Sequence, residues 1–442
     1  MNHTKLRFLA LLLAVIMCLG LVACSQNTDE PSDTVPATDA GTPQDTTNPN
    51  GDSENQNSSG NNNNSGNSGN NNSGNTGDNG NTQPGTSSDK LVNKGTDTDG
   101  SFYGWNDFEG QKSTVDTSRK LVDYLDYIKI VGRCEVVDDG ITCDFTASGM
   151  EFNVTTQGAV QLSVTATADT YFTVFVDAQR SETRFLAKAG TSTLTIANFA
   201  TQGTHHIRVL KQTEPQNSLC VLNSLKFDGK FETKPADKDL YIEFLGDSIS
   251  CGYGNMCANG AENPGNALNQ DGTQAYAFLT AEALGADCSV ISCSGIGVAK
   301  GYRTFTMDTF FSKQSYYRSN TKAYTKTRTP DIVVINLGTN DQSQKASESE
   351  FIAKAKALIE LIHTTYGDVP IIWAHGMMKD GMSAQIAAVA AELTSTGTEI
   401  YTVKVLESFN NAGGNGHPNL EAHTTATTNL KKFIEDNILT QN

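Results

Sequence analysis

From Leu240 onward, short apolar runs alternate with helix-patterned stretches, and this alternation narrows the possible folds more than any other feature of the chain. Compact apolar segments at Tyr241–Leu245, Asp287–Ile291, Ile332–Leu337, Ile371–Ala374 and Ile400–Leu406 predict strands. The stretches Gln274–Leu284, Glu350–Thr364, Ala384–Leu393 and Leu420–Ile438 predict helices. A strand that is apolar on both faces has to be covered on both, so the spacing predicts a parallel sheet between two helical layers, an α/β/α arrangement. In such sheets a site forms beyond the strand C-termini. The sequence motifs described below fall there.

The preceding part reads differently. Between about residues 120 and 230 the chain predicts short strands at Ile141–Ala147, Glu151–Thr155, Val160–Thr167, Tyr171–Val176, Ser192–Ile196 and His206–Lys211. No strong helical pattern interrupts them, which predicts an all-β sandwich. Lys234-Pro235-Ala236-Asp237 marks the boundary, giving a β domain over 91–236 and an α/β domain over 237–442.

The first ninety residues carry no such pattern. Lys5 and Arg7 precede the apolar run Phe8–Leu19, long enough for a signal peptide and short for a membrane span. The run ends in Leu21-Val22-Ala23-Cys24, which resembles a bacterial lipobox: residues 1–23 would be a lipoprotein leader and Cys24 the lipidated residue. The expected location is therefore the outer face of a bacterial cell membrane, with Cys24 as the anchor. Residues 24–90, mostly Asn, Gly, Ser, Thr and Asp, lack the apolar side chains to offset ordering entropy and read as a disordered tether. Net charge follows the same division. Of the −17 on the chain, −9 lies in residues 25–89 and −10 in residues 90–442, the leader contributing +2. An acidic chain without clustered Lys and Arg argues against a nucleic-acid partner. Once Cys18 and Cys24 are set aside, seven cysteines remain, an odd number. Cys134 and Cys143 flank Asp138-Asp139-Gly140. A two-residue loop at Asp138-Asp139 would place them opposite each other, and one at Asp139-Gly140 would offset them. No His/Cys spacing suggests a metal, and no cofactor is expected.

Four motifs carry chemistry. Gly246-Asp247-Ser248 follows the first strand, where Gly permits a sharp turn, the Ser hydroxyl is exposed and its N–H can face a developing oxyanion. Alone it is weak, since that tripeptide arises by chance in roughly one chain in ten of this length. Ser294-Gly295-Ile296-Gly297 follows the second strand and reads either as a turn or as a close backbone donor. Gly338-Thr339-Asn340-Asp341 follows the third; Asn340 could give its amide to an oxyanion, or Asn-Asp could be local turn chemistry. Gly416-His417-Pro418-Asn419 precedes the last helix and places His417 to take the Ser248 proton. The other histidines fall in the leader (His3), the β part (His205, His206), a helix (His363), a loop (His375) or inside the last helix, where His423 reads as structural.

The order Ser, Gly, Asn, His resembles the SGNH/GDSL hydrolases over about residues 240–440. More narrowly, the run Ile242–Gly254, together with a β part carrying His206 and Lys211-Gln212-Thr213-Glu214, is similar to carbohydrate esterase family 2. That resemblance implies a jelly-roll β domain joined to an SGNH domain that removes acetyl groups from plant polysaccharides. It implies Ser248 as nucleophile, His417 as base, and the Ser248 N–H, Gly295 N–H and Asn340 side chain as oxyanion donors, with Gly297 as the alternative to Gly295. One departure stands out: the Asp that such enzymes usually carry three residues before the His is Gly414 here. A backbone carbonyl near Gly414 or Asn415 would then orient His417, making a Ser–His dyad, unless Asp380 or Glu407 supplies a hidden carboxylate. Tyr302, Trp373 and Met377-Met378 lie near strand-end loops, where they could line a sugar groove or pack in the core. Two other functions fit the same residues: an esterase acting on lipid or envelope-glycan esters, and a carbohydrate-binding surface protein without activity.

Overall fold

The computed structural model describes residues 118–257, 263–407 and 412–441. The expectations for the leader, Cys24 and the tether lie outside them. All described residues belong to one compact unit.

The β part is a single antiparallel network of ten strands. Its centre is two long strands, Gly149–Ala166 and Gly190–Lys211, paired along most of their length. The sequence predicts two shorter strands within each of these. Breaks in register at Thr156/Gly158 and Val160/Gln161 mark bulges, which bend a strand without ending it. A further strand, Cys220–Phe231, pairs with the other side of Gly149–Ala166 and has no counterpart in the sequence prediction. Its alternation slips at a bulge between Leu222 and Ser224, so its inward residues Leu222, Leu225 and Phe227 do not keep a period of two. These strands enclose one apolar core that includes Phe152, Leu162, Phe172, Ile207 and Phe227. At the edge, Val137 pairs with Gly140, leaving Asp138-Asp139 as the loop and setting Cys134 opposite Cys143. Their sulfurs are 3.8 Å apart as free thiols.

The α/β part has five parallel strands in the order 287–292, 241–246, 332–336, 371–375, 400–404. Alternate strand residues go to opposite faces. Leu245, Ile291, Val333, Ile335 and Trp373 pack beneath helices Glu348–Tyr366 and Ser383–Ser395. Phe244, Val290, Val334 and Ile372 pack beneath helices Tyr276–Ala283 and Leu420–Asn437. Burying each such side chain contributes about 1.5–3 kcal/mol before entropy is counted. Among the described residues no helix is long and apolar enough to cross a membrane.

The two parts share these cores. Phe145 of the β part joins the first cluster, and Ala147, Phe175 and Leu210 join the second. Polar ties reinforce the seam: Arg180 meets Asp271 at 2.7 Å, Asp144 meets Arg318 at 2.7 Å, and Arg208 forms a two-pronged pair with Glu282. Arg133 reaches the buried Glu243 in the first parallel strand at 3.5 Å.

Strand order fixes where a site can form. The first parallel strand lies between the second and the third, so the chain leaves it toward one edge and later returns to the other side. That reversal opens a crevice at the strand C-termini. Gly246 is in register with Ser292 on one side and Asn336 on the other, so the three following loops emerge together.

Candidate active site

Each loop brings one motif to the crevice. Gly246 ends its strand where a Cβ would lie 1.9 Å from Ser250 Oγ, so only glycine fits. Asp247 caps the short helix Ser248–Cys251, its Oδ1 accepting from Ile249 N at 3.0 Å. Ser248, the first residue of that helix, has an N–H with no acceptor inside the helix.

The hydroxyl of Ser248 lies 2.9 Å from His417 Nε2. On the other side of the ring, Nδ1 faces the Gly414 carbonyl at 3.2 Å, which fixes the neutral tautomer with its proton on Nδ1 and Nε2 free to accept. Asp380 is paired with Lys404, Glu407 is exposed, and among the described residues no carboxylate reaches His417. A Cβ on Gly414 would meet Cys257 Sγ at 2.5 Å and Pro264 Cβ at 2.7 Å, so an aspartate has no room at this position. The loop is pinned instead through its backbone, Gly414 N donating to Gly254 O and Gly413 N to His417 O. Tyr253 packs its ring on the imidazole with centroids 4.8 Å apart. Burial lowers the His417 pKa from the usual 6.5, and the backbone at Asn415 and Gly414 opposes that shift.

The facing wall is the loop 294–300. Gly295 has φ +81°, open to glycine, and among the described residues its N–H meets no backbone acceptor. A Cβ on Gly297 would lie 1.9 Å from Lys300 O, so that glycine is required by the loop's own packing. Asp341 holds the loop from below, accepting from the backbone N–H groups of Val298, Ala299 and Lys300 at 2.7–3.0 Å. The sequence reads Asn340-Asp341 as possible local turn chemistry, but the backbone that Asp341 binds lies some forty residues earlier. Asn340 Nδ2 donates to Asp247 Oδ2 at 3.1 Å and to Ile296 O at 2.8 Å. It therefore ties the serine turn to the glycine loop, and an oxyanion would have to share the hydrogen that faces Asp247. Burial, with Asp341 and Glu214 nearby, pushes Asp247 up to about 7 against the pull of its backbone hydrogen bonds.

Glu214, from the β part, also reaches this wall. Its Oε1 accepts from Ser294 Oγ and its Oε2 from Ser294 N, both at 2.7 Å. In the sequence Glu214 stands out only as part of the run Lys211–Glu214. Nothing local marks Lys211–Glu214 as four consecutive polar residues with no exposure at all.

Other expectations divide. Trp373 is wholly buried and donates from Nε1 to Leu337 O, and Met377 is buried too, so both are core and neither lines a groove. Tyr302 is 64% exposed while its backbone N–H holds Gly295 O at 2.7 Å, which stands its ring beside the glycine loop. A cleft of about 400 Å³ opens on the same segment, with Lys300, Arg303, Phe305 and Tyr316 among its lining. His423 is buried and accepts from Tyr276 N at 3.1 Å, capping a helix that has no side-chain cap of its own.

A serine bonded to a neutral histidine, at the crevice of a parallel α/β/α sheet and facing a glycine loop, defines a GDSL-type hydrolase. Residues 244–424 match the GDSL-like Lipase/Acylhydrolase family, and residues 130–235 match the Carbohydrate esterase 2 N-terminal family. The chain thus resembles carbohydrate esterase family 2, its β part through the N-terminal match and its α/β part as a GDSL-like hydrolase. It is 28% identical over 328 residues to the cellulase/esterase CelE of Acetivibrio thermocellus, an alignment covering 70% of this chain and 39% of that protein. With an acetylxylan esterase / glucomannan deacetylase of Cellvibrio japonicus it shares 27% identity over 239 residues, 49% of this chain and 65% of that one. The chain thus spans less than two thirds of either curated relative. A family two carbohydrate esterase from Clostridium thermocellum, solved in complex with cellohexaose, matches at a TM-score of 0.66 and 27% identity, covering 70% of this chain and 98% of that chain.

Proposed function

We propose that this chain is a serine esterase that removes O-acetyl groups from plant-type polysaccharides such as xylan, mannan or glucomannan. The observation that carries this reading is the Ser248–His417 contact of 2.9 Å, with His417 held by the Gly414 carbonyl. The names of the relatives, an acetylxylan esterase / glucomannan deacetylase among them, support the acetyl-polysaccharide substrate.

Neutral His417 takes the Ser248 proton at Nε2 while Oγ attacks the acetyl carbonyl carbon. The negative oxygen of the tetrahedral intermediate sits against the N–H groups of Ser248 and Gly295, and the Asn340 amide turns part of its donation toward it. Collapse breaks the bond to the sugar oxygen, which leaves as the sugar hydroxyl by taking the proton from His417, and acetyl-Ser248 remains. Water, deprotonated by His417, then attacks the acetyl carbon, releasing acetate and returning the proton to Ser248. The exposed Tyr302 ring and the cleft beside it give the sugar chain a surface to lie on. Export and lipidation at Cys24, with residues 24–90 as a tether, would hold the enzyme at the outer face of a bacterial membrane, where polymeric substrate is met.

Acetate release from a panel of acetylated xylan, mannan and glucomannan tests the substrate class. Release from at least one of these polymers, lost in Ser248→Ala, is expected. Cleavage of long-chain acyl esters in preference to all of them would point instead to a lipid esterase.

A further inference from the structure

Glu214 belongs to the β part, yet both oxygens of its carboxylate are spent on the α/β part. The turn that carries it is rigid. Lys211 Nζ, also fully buried, donates to the carbonyls of Asp144, Thr213 and Glu214 at 2.8–3.2 Å. Gln212 O accepts from Gly272 N and from Thr146 Oγ1. From this support the carboxylate takes the N–H and the hydroxyl of one residue, Ser294, and lies 3.5 Å from Cys251 Sγ in the helix that begins at Ser248.

Ser294 immediately precedes Gly295, and the geometry of the peptide between them makes the contact matter. In a trans peptide the C=O of one residue and the N–H of the next point in opposite directions. Arg303 Nε donates to Ser294 O at 2.7 Å, which sets the plane that contains the Gly295 N–H. Glu214 holds the N–H at the other end of Ser294. With both ends of Ser294 fixed, the direction of the Gly295 N–H is fixed as well.

We propose that Glu214 is a positioning residue of the oxyanion hole: the β part completes the active site by clamping Ser294 so that Gly295 donates toward the reacting carbonyl. This rests on the reading of Ser248, Gly295 and His417 as an esterase site. A carboxylate suits the task because it only accepts, and Ser294 offers two donors on one residue. A glutamine keeps an acceptor for the Ser294 N–H, and the serine hydroxyl can turn round to accept from the new amide. An alanine leaves both groups buried with no acceptor.

The test uses the full chain and p-nitrophenyl acetate, with thermal unfolding as the check on folding. Glu214→Ala is expected to lower kcat by about 30- to 1,000-fold with KM within about 3-fold, the range seen when one oxyanion donor is lost. Glu214→Gln is expected to recover kcat to within about 10-fold of wild type. A boronic acid that forms a tetrahedral adduct on Ser248 should weaken in step with kcat/KM across the series. Should Glu214→Ala not fold, Glu214→Gln and Ser294→Ala carry the test, the latter losing about 3- to 10-fold in kcat as half of the clamp goes. A folded Glu214→Ala with wild-type kcat, or one changed in KM alone, overturns the inference. If wild type and Ser248→Ala hydrolyse the ester equally, it is the esterase reading that fails.

Discussion

The two walls of the crevice are built on opposite principles. On one side, His417 is held by neutral groups: the glycine backbone at 413 and 414, and a single carbonyl behind the imidazole. On the other, the glycine loop is held by buried carboxylates, Glu214 on Ser294, Asp341 on three successive N–H groups, and Asp247 through Asn340. The acid that a triad would place behind the histidine has no room there, while acids crowd the wall where an oxyanion would form. A carboxylate behind the imidazole would raise its pKa, whereas a carbonyl orients the ring at less electrostatic gain. On the loop side each of these carboxylates accepts from a backbone or side-chain amide, Glu214 from the Ser294 hydroxyl as well. The difference suggests that this active site relies on orientation at the base and on rigidity at the oxyanion.

The comparison can be broken from either side. His417→Ala removes the proposed base and should lower kcat/KM by about 10³-fold or more, on the scale of losing a member of a catalytic unit. Steady-state kinetics on an acetyl ester would show it, and residual activity within 10-fold would mean that another base serves. Asn340→Ala cuts the link between the walls and should cost about 10²-fold in kcat, as removal of one oxyanion donor does. Gly414→Asp restores the residue a triad would carry, but its side chain would run into Cys257 and Pro264. It should therefore lower activity by about 10-fold and the melting temperature by several degrees, in line with about 1–3 kcal/mol for overpacking. A gain in activity would show that a carboxylate can be accommodated behind the ring after all.

The smallest effect is on pH. His417 must be neutral to accept the serine proton, and burial holds its pKa below 6.5. The acid limb of kcat/KM should accordingly have its midpoint below 6.5, with activity nearly flat from pH 7 upward through the neutral range. Asp247, pushed up to about 7, titrates in a different place. A limb centred near 7 that moves in Asp247→Asn would assign control to the oxyanion wall instead.

Much of this was legible in the sequence, and the exceptions have physical causes. Parallel strands buried on both faces are short apolar runs, so Tyr241–Gly246 and Ile332–Asn336 end within a residue of where the pattern puts them. The long β strands hide because Gln157-Gly158 and Thr201–Gly203 look like turns, while bulges carry the chain through them. Ser248 and His417 stand at strand-end motifs and could be paired by order alone. Glu214 could not, since it meets Ser294 across 80 residues and between two differently folded parts. Trp373 shows the converse: its place at a strand end suggested a groove, but within a strand parity decides which face a side chain takes, and this one goes to the core.

The central claim is that Ser248 is the nucleophile of acyl transfer from acetylated sugar. Mass spectrometry of the protein quenched in acid during turnover of an acetylated substrate tests it most directly. The account predicts an adduct of one acetyl group on the peptide containing Ser248, absent in Ser248→Ala and enriched when deacylation is slowed. Turnover of the same substrate by Ser248→Ala at the wild-type rate, with no acetylated peptide in either protein, would contradict it.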